Sequence, residues 1–396
     1  MLAFGMMQVV QGVVAFELTG KNSAVGFVSL GTGITMITLG PVGGALSDRV
    51  SKKKLLAAAQ FMTGAVFAVV ATLIVTGHIT IMLLAGASLV MGAAFALMGP
   101  TRQAWVGDML SGPDLSAGVA LQQLLMNATR IVGPLIAGVL IGIGAVGTGG
   151  TYFVMTGLFV CVVVTLMFMK ASPPRPRTHP VSMFADLAAG FRYIWSAPDV
   201  RLLTLLFVGV VLSGFSYQTI MPGYLEHELG HPASQLGLIF GTTAVGGIVT
   251  TLILAGRQLR DPLRMMMVFG VALAGSLALL AVAPGFIAAL LVATLVGASS
   301  SGFQMLNNVN LMQRCQPQFF GRVMAVTMMA FGVNSLVAYP IGQLADHAGE
   351  RTTMALLSVL CLVIITGGSL ALKFQGAKPG FATRPTPDRA PAADRG

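Results

Sequence analysis

Charged residues are scarce in this chain. Lys, Arg, Asp and Glu make up 9% of its 396 residues, whereas hydrophobic residues make up 55% and the mean hydropathy is +0.84. An ordinary soluble domain carries about 25% charged residues. The composition therefore excludes a soluble enzyme and predicts an integral membrane protein, in which the 49 glycines allow helices to pack closely.

Cysteine and catalytic motifs are also rare. The three cysteines, Cys161, Cys315 and Cys361, form no CxxC pair and no metal-ligand spacing, so the sequence predicts no disulfide framework, no metal site and no cofactor. No GxxxxGKS/T loop occurs, and the longest polar segment, about 30 residues, is too short for a nucleotide-binding domain. We therefore predict no catalytic residues and no enzyme activity. No cleavable signal peptide is visible.

Apolar runs of membrane-spanning length recur along the whole chain. About 20 apolar residues are needed to cross a hydrocarbon core of roughly 30 Å. Twelve runs are separated by charged, Gly/Pro or Asn-containing segments, at 1–16, 24–47, 55–76, 79–99, 115–143, 152–169, 202–225, 235–254, 265–283, 286–306, 323–345 and 353–372. The sequence thus predicts an all-α membrane protein with twelve transmembrane helices.

The basic residues are confined almost entirely to alternate loops. Twenty of the 23 Lys and Arg residues lie in one set of loops and the C-terminal tail; Lys21 and Arg351 lie in the opposite set and Arg130 within a span. By the positive-inside rule, the cation-rich loops and the C-terminus are cytoplasmic, in a bacterial inner membrane. The net charge of +10 is then a topology signal. It points to a lipid bilayer and to no nucleic-acid partner.

The longest break in the apolar pattern lies between spans six and seven. It begins with a Pro/Arg-rich stretch and continues with Phe184, Leu187 and Phe191 at helical spacing, which predicts an amphipathic helix on the cytoplasmic interface. The break divides the chain into an N-terminal six-helix bundle at 1–170, a linker at 171–201, a C-terminal six-helix bundle at 202–373 and a disordered cytoplasmic tail at 374–396.

Short motifs recur between the two halves. The segment GALSDR at the end of span two is echoed by GRQLRD at the end of span eight, and GPLIAG in span five by YPIGQLAD in span eleven. These echoes indicate four three-helix units and two pseudo-symmetric bundles. Internal repeats of this kind are typical of membrane transporters.

The loop after span two, GALSDRVSKKK, resembles the signature loop of the major facilitator superfamily, with Ser51 in place of the usual glycine. Four further stretches resemble the branch that contains the enterobactin exporter and macrolide efflux proteins: MMQVVQGVVAFELTGKNSAVG, RIVGP, DLAAGFRY and FGRVM. The resemblance implies two six-helix bundles around a central cavity. It also implies more helix before Met6 than the chain has, so we expect a shortened first span.

The same resemblance implies a conformational latch at the cytoplasmic end. Asp48, which ends span two after Gly44, is expected to face Arg322 at the start of span eleven and Arg102 at the end of span four. Arg49 and the lysines that follow are also explained as topology signals alone. A charge at a helix terminus contributes about 0.3 to 2 kcal/mol, which is enough to bias two conformations.

Span five carries Arg130, Gly133, Pro134 and Gly138, similar to the GPxxG signature of exporters that exchange substrate for protons. Close helix packing and a proline bend also explain the glycines and the proline. Arg130 is either a hydrogen-bonding link between helices or a substrate or coupling residue. Proton coupling favours a buried carboxylate, and none lies centrally in a span; Glu17 is the predicted coupling residue, with an exposed interfacial carboxylate as the alternative.

The family architecture places spans one, four, seven and ten around the cavity. The side chains they offer there are Gln8, Gln11, Phe95, Tyr217, Gln218, Asn307 and Asn308. A mostly apolar lining with a few amides suits a large amphipathic substrate better than a sugar or an anion. Aromatic residues at helical spacing are also explained by core packing.

We therefore predict a monomeric secondary active transporter. It exports amphipathic small molecules, drug-like or siderophore-like, by proton antiport with alternating access. Two alternatives stay open: an uptake permease or uniporter of the same fold, and a membrane scaffold or sensor that transports nothing. Transport into everted vesicles with and without a pH gradient distinguishes the first alternative from antiport.

Overall fold

The computed structural model describes residues 2–109, 125, 129, 132–169, 183–256 and 261–376. These residues are almost entirely helical, and none of them forms a strand. The helices are α1 (Leu2–Thr19), α2 (Asn22–Arg49), α3 (Lys52–Val75), α4 (Ile81–Met109), α5 (Val132–Gly142), α6 (Gly147–Phe168), α7 (Met183–Ser196), α8 (Pro198–Gly214), α9 (Tyr217–Gly223), α10 (Leu236–Ala255), α11 (Pro262–Ala281), α12 (Phe286–Arg314), α13 (Pro317–Ala348) and α14 (Glu350–Gly376).

Most of these helices are long and apolar enough to cross a membrane. Eleven such segments lie within the described residues, with α8, α9 and the turn after them counted as one, and α5 is a shorter apolar helix. They correspond to the predicted spans. The exception is the span predicted at 115–143, of which the described residues include little beyond α5.

The surface of the bundle matches a lipid environment. Large apolar side chains stand exposed on the outside of several helices, among them Phe168 at 86%, Ile287 at 69% and Leu291 at 67%. A soluble monomer rarely exposes contiguous apolar patches above a few hundred Å². These faces are therefore the ones that hydrocarbon covers.

The two halves repeat the same internal packing. In the first half, α2 and α4 approach through Gly31 and Gly92. A Cβ added to Gly31 would lie 2.8 Å from the Leu89 nitrogen, and a Cβ added to Gly92 would lie 2.8 Å from the Cα of Thr32. In the second half, α10 and α12 approach through Gly246 and Gly297 in the same way. Each half thus packs its second span on its fourth, as two pseudo-symmetric bundles require.

The predicted seventh span is not one continuous α-helix. It breaks between α8 and α9 and ends in a turn of π-helix at Tyr224–Glu228. Pro222 lies within α9 and has no N–H to donate to the carbonyl of Gln218, so the helix cannot continue its regular hydrogen bonding there. Periodicity alone showed only the apolar run, because it does not register which carbonyls lose their partners.

The linker helix α7 docks on the start of α13. The ring of Tyr193 stacks on Phe319 with centroids 4.3 Å apart and planes 6° apart, and the backbone N–H of Gln316 donates to the Tyr193 hydroxyl at 3.0 Å. Burial raises the pKa of Tyr193, so its hydroxyl stays protonated near neutral pH. The helix expected between the halves therefore contacts the second half.

Candidate functional site: a cavity between the halves

A cavity of about 130 Å³ lies between the first and second halves. Its wall is built by α1, α2, α9, α10 and α13, through Met7, Gln8, Gln11, Gly12, Val25, Ser29, Thr32, Gln218, Thr219, Pro222, Leu236, Phe240, Asn334, Ser335 and Ala338. Among these described lining residues none is charged. The described part of the lining therefore offers uncharged hydrogen-bonding groups and apolar contact.

Two amides of the cavity are held in place by neighbours. Gln11 is buried, and its Nε2 donates to the hydroxyl of Ser88 on α4. On the opposite side, the Ser216 hydroxyl donates to Oδ1 of Asn334 at 2.8 Å. Because Gln11 and Asn334 each have a protein partner for one atom of the amide, the orientation of the other atom is fixed as well.

Three of the residues predicted from the sequence lie on the cavity wall, namely Gln8, Gln11 and Gln218. Phe95 instead packs edge-on against Phe4, with ring centroids 5.1 Å apart, inside the first half. Tyr217 is buried beside the cavity-lining Gln218. The resemblance directed attention to four spans only, so it missed the polar residues that α2 and α13 contribute.

Asn307 and Asn308 on α12 lie away from the described lining. Asn307 is wholly buried, and neither atom of its amide has a hydrogen-bond partner among the described residues. Oδ1 of Asn308 is buried without a partner there too. Burying an amide without hydrogen-bond partners costs folding free energy, so these two side chains are buried polar groups that destabilise the second half in this conformation.

The missed residues carried a sequence signal. Ser29 and Thr32 are polar residues at helical spacing within an apolar span, and Asn334 is an amide in the middle of span eleven. Polar groups in spans face the bundle interior by default. Reading every span for such residues, without choosing spans by family architecture, would have found them.

Among the described residues, glycines bring helices of the two halves together in two seams beside the cavity. In the first, α2 contacts α13, and a Cβ added to Gly26 would lie 2.4 Å from the Ala338 carbonyl oxygen. In the second, α5 contacts α10, and a Cβ added to Gly138 would lie 2.6 Å from the Cα of Gly237. Both seams therefore depend on glycine for their closeness.

The predicted span-five motif divides its contacts between the two halves. Gly133 packs against Gly5 of α1, where an added Cβ would lie 2.8 Å from the Gly5 Cα, and Pro134 is buried nearby. Gly138 faces the other half. Arg130 lies outside the described residues.

The structure describes only part of the predicted cytoplasmic latch. The side chains of Gly44, Asp48 and Arg49 lie outside the described part, although α2 extends to Arg49. Arg102 is half-buried on α4. The Arg322 guanidinium lies 5.4 Å from the ring centroid of Phe319.

The basic loop after α2 also has a local role in the first half. Lys53 donates from Nζ to the carbonyls of Met167 at 2.9 Å and Met169 at 2.6 Å. The last carbonyls of a helix lack partners within the helix, and a cation is favourable there. Lys53 therefore caps the end of α6.

Glu17 lies near the end of α1 with an exposed side chain, and it is absent from the described cavity lining. It is close enough to Glu226 of the second half for the two charges to interact. The predicted coupling residue thus lies at one end of the bundle, where both halves meet.

Comparison with known proteins places the whole chain among transporters. The sequence profile described as Major Facilitator Superfamily matches residues 1–339. The multidrug efflux pump Tap of Mycobacterium tuberculosis is 26% identical over 381 residues, which cover 91% of this chain and 88% of Tap. The staphyloferrin A transporter of Staphylococcus aureus is 23% identical, covering 93% and 94%. The enterobactin exporter EntS of Salmonella typhimurium is 26% identical, covering 81% and 77%.

Solved structures show the same fold. The crystal structure of a mutant of the nucleoside transporter NupG aligns with a TM-score of 0.74 at 14% identity, covering 93% of this chain and 96% of that one. A bacterial homologue of the human lysosomal transporter Spinster aligns with a TM-score of 0.75 at 10% identity, covering 94% and 93%. At these identities the likeness concerns the fold alone.

Proposed function

Because the chain belongs to the Major Facilitator Superfamily, we propose that this multi-pass membrane transporter exports amphipathic small molecules. The observation that carries the proposal is the cavity between the halves, whose described lining combines amides and hydroxyls with apolar side chains and holds no charge. Such a lining binds a molecule with apolar bulk and a few uncharged polar groups.

The size of the cavity supports alternating access. Pockets that hold drug-sized ligands measure about 300 to 1,000 Å³. The cavity is about 130 Å³, so a drug-sized molecule does not fit into this conformation. The halves therefore have to separate around the cavity during transport. The rocking units are residues 1–170 and 202–373, joined by the linker at 171–201, with a tail at 374–396.

The direction of transport rests on the loops and the relatives. The cation-rich loops and the C-terminus face the cytoplasm of a bacterial cell, so the end at which α1 meets α2 faces outward. Two of the relatives are named as an efflux pump and an exporter. Asp48, with Arg102 and Arg322, forms the cytoplasmic latch of this cycle.

Proton exchange is the energy source that we propose, with Glu17 as the proton-binding group and Arg130, Gly133, Pro134 and Gly138 as the antiporter motif. Glu17 lies at the junction of the two halves, where opening changes its exposure. The carrier works as a monomer, because one chain already contains both halves of the cavity.

A substrate screen in a bacterial strain without its own efflux pumps tests the export proposal. We expect expression of the chain to lower the accumulation of at least one lipophilic drug or siderophore. Everted vesicles then test coupling. Accumulation of that compound in the vesicle lumen should require a lumen more acidic than the medium, and a protonophore should abolish it. If expression changes no compound's accumulation, the proposal of export is wrong.

Uniport by the same fold is the second candidate, and one observation favours it. Among the described residues that line the cavity there is no carboxylate to exchange protons with a substrate. Equal transport with and without the pH gradient would support uniport and remove Glu17 from the mechanism.

A further inference from the structure

Asn22, the first residue of α2, is held entirely by the other half of the protein. Its side chain is wholly buried. Its Nδ2 donates to Oε1 of Glu350 at 2.9 Å, and its Oδ1 accepts the backbone N–H of Gly223 at 3.2 Å. Its own backbone N–H donates to Oδ1 of Asp346 at 2.8 Å. One residue of the first half is thus bonded to α9, α13 and α14.

Asp346 acts as a helix cap supplied from the other half. Its second oxygen, Oδ2, accepts the backbone N–H of Ser23 at 3.0 Å. The first N–H groups of a helix have no partner within the helix, and a carboxylate also suits the positive end of the helix dipole. When the halves separate at this end, α2 loses that cap.

The acceptors that receive Asn22 are positioned by the second half itself. Oε1 of Glu350 also lies 2.8 Å from Nδ1 of His227. The next residue, Arg351, donates to Oε2 of Glu228 at 2.6 Å and to the carbonyl of Ala281 at 3.2 Å. The π-helical turn and the first turn of α14 are therefore held together by contacts within the second half that do not involve Asn22.

The space around Asn22 is shaped by two glycines. A Cβ on Gly223 would lie 2.4 Å from Nδ2 of Asn22, and a Cβ on Gly342 would lie 2.6 Å from its carbonyl oxygen. Neither position leaves room for a larger residue. Asn22 therefore fits a slot in the second half, with hydrogen bonds that fix its orientation.

We propose that Asn22 is the positioning residue that latches this end of the transporter shut, and that its release from Glu350, Gly223 and Asp346 is an obligatory step of each cycle. The proposal rests on the alternating access proposed above. It assigns a role to a second set of groups, at the opposite end of α2 from Asp48. Closure of this end depends on a side-chain amide that donates to the Glu350 carboxylate and accepts the Gly223 N–H, together with the Asp346 cap on the backbone of α2.

Reversal of the Asn22–Glu350 pair tests the latch. Asn22→Asp keeps the shape of the side chain but places a second carboxylate against Glu350. In the double variant with Glu350→Gln, the new amide at position 350 can donate to the new carboxylate at position 22. The reporter is Ser29→Cys, in the cavity wall two turns along α2, with Cys161→Ser, Cys315→Ala and Cys361→Ala. Labelling by a membrane-impermeant maleimide is followed in right-side-out and everted vesicles without substrate.

We expect Asn22→Asp to raise the labelling rate about tenfold from the side that the Asn22 end faces, since a lost charge-assisted hydrogen bond is worth at least that factor. The double variant should return to within about twofold of the parent. Glu350→Gln alone should raise the rate less than Asn22→Asp does, because its amide oxygen still accepts from Asn22 in a bond without charge assistance. An unchanged rate in Asn22→Asp, or a double variant as fast as the single one, would overturn the latch.

Thr352→Ala is the matched control. Thr352 lies on the same first turn of α14 as Glu350, but its side chain is exposed. Its variant should label at the parent rate, and an equal increase there would show general loosening of the surface. No substrate is present and both vesicle orientations are tested. The result therefore does not depend on whether the chain transports a compound or in which direction.

Discussion

The two seams between the halves are built differently. The α2–α13 seam ends in directional hydrogen bonds, where Asn22 and Ser23 meet Asp346 and Glu350. In its described part, the α5–α10 seam is a contact of backbones at Gly138 and Gly237, and the Leu135 side chain packs on Gly241 beside it.

The difference indicates different tasks in one movement. Dispersion between backbone atoms is weak per contact and tolerates small rotations, so a glycine contact can act as a pivot. Hydrogen bonds weaken steeply as their angle and length change, so a bonded seam is either closed or open. We therefore expect the α5–α10 seam to stay in contact while the Asn22 end opens.

The largest effect should come from Gly138→Ala. Its Cβ would lie 2.6 Å from the Cα of Gly237, so one backbone has to move. Overpacking of this kind costs about 1 to 3 kcal/mol. Because this contact persists in both the closed and the open carrier, the cost falls on both states, so the melting temperature in detergent should fall while labelling of the Ser29→Cys reporter stays near the parent rate.

Gly142→Ala supplies the comparison on the same helix. Nothing lies within 4 Å of a Cβ at Gly142, so its variant should behave like the parent. Equal effects of the two substitutions would mean that helix propensity, and not the seam, accounts for the change. A raised reporter rate in Gly138→Ala would mean that the contact separates as the carrier opens, and would reject the glycine pivot.

Much of the fold could be predicted from the sequence, because span length and loop charge follow from the membrane itself. The described helices lie where the apolar runs predicted them, and the family match bears out the fold. The irregular end of the seventh span was missed, since Pro222 acts through one lost N–H that hydropathy does not register.

The candidate site was predictable only in part. Gln8, Gln11 and Gln218 face the cavity, whereas Phe95 packs within one half, because periodicity gives a face and not its neighbour. Glu350 is almost wholly buried, although its position after a loop favoured solvent exposure. Its partner Asn22 is 328 residues away in the sequence, and one sequence carries no signal for such a pair.

A smaller effect is expected inside the cavity, between the two seams. Gln11→Leu removes an amide and leaves the Ser88 hydroxyl without that partner. Loss of one such bond, with a buried group left behind, should raise the KM for the exported compound about tenfold and leave the reporter rate unchanged. Gln343→Leu, on an exposed face of α13, should alter neither quantity. If Gln11→Leu changes the reporter rate and not the KM, Gln11 belongs to the seams and not to the substrate site.

The smallest effect should separate a cap that crosses the halves from one that does not. Asp346 accepts from α2, whereas Asp261 accepts the N–H of Arg264 at 3.0 Å, three residues along its own chain segment. Asn keeps one acceptor oxygen of two, so Asp346→Asn should raise the Ser29→Cys labelling rate about threefold, at the lower end of measured cap effects. Asp261→Asn should leave the labelling rate unchanged, because Asn caps a helix about as well as Asp and this cap stays within one half. Equal labelling by both variants would mean that Asp346 stabilises a helix without holding the halves together, and the distinction between the two seams would then rest on Asn22 alone.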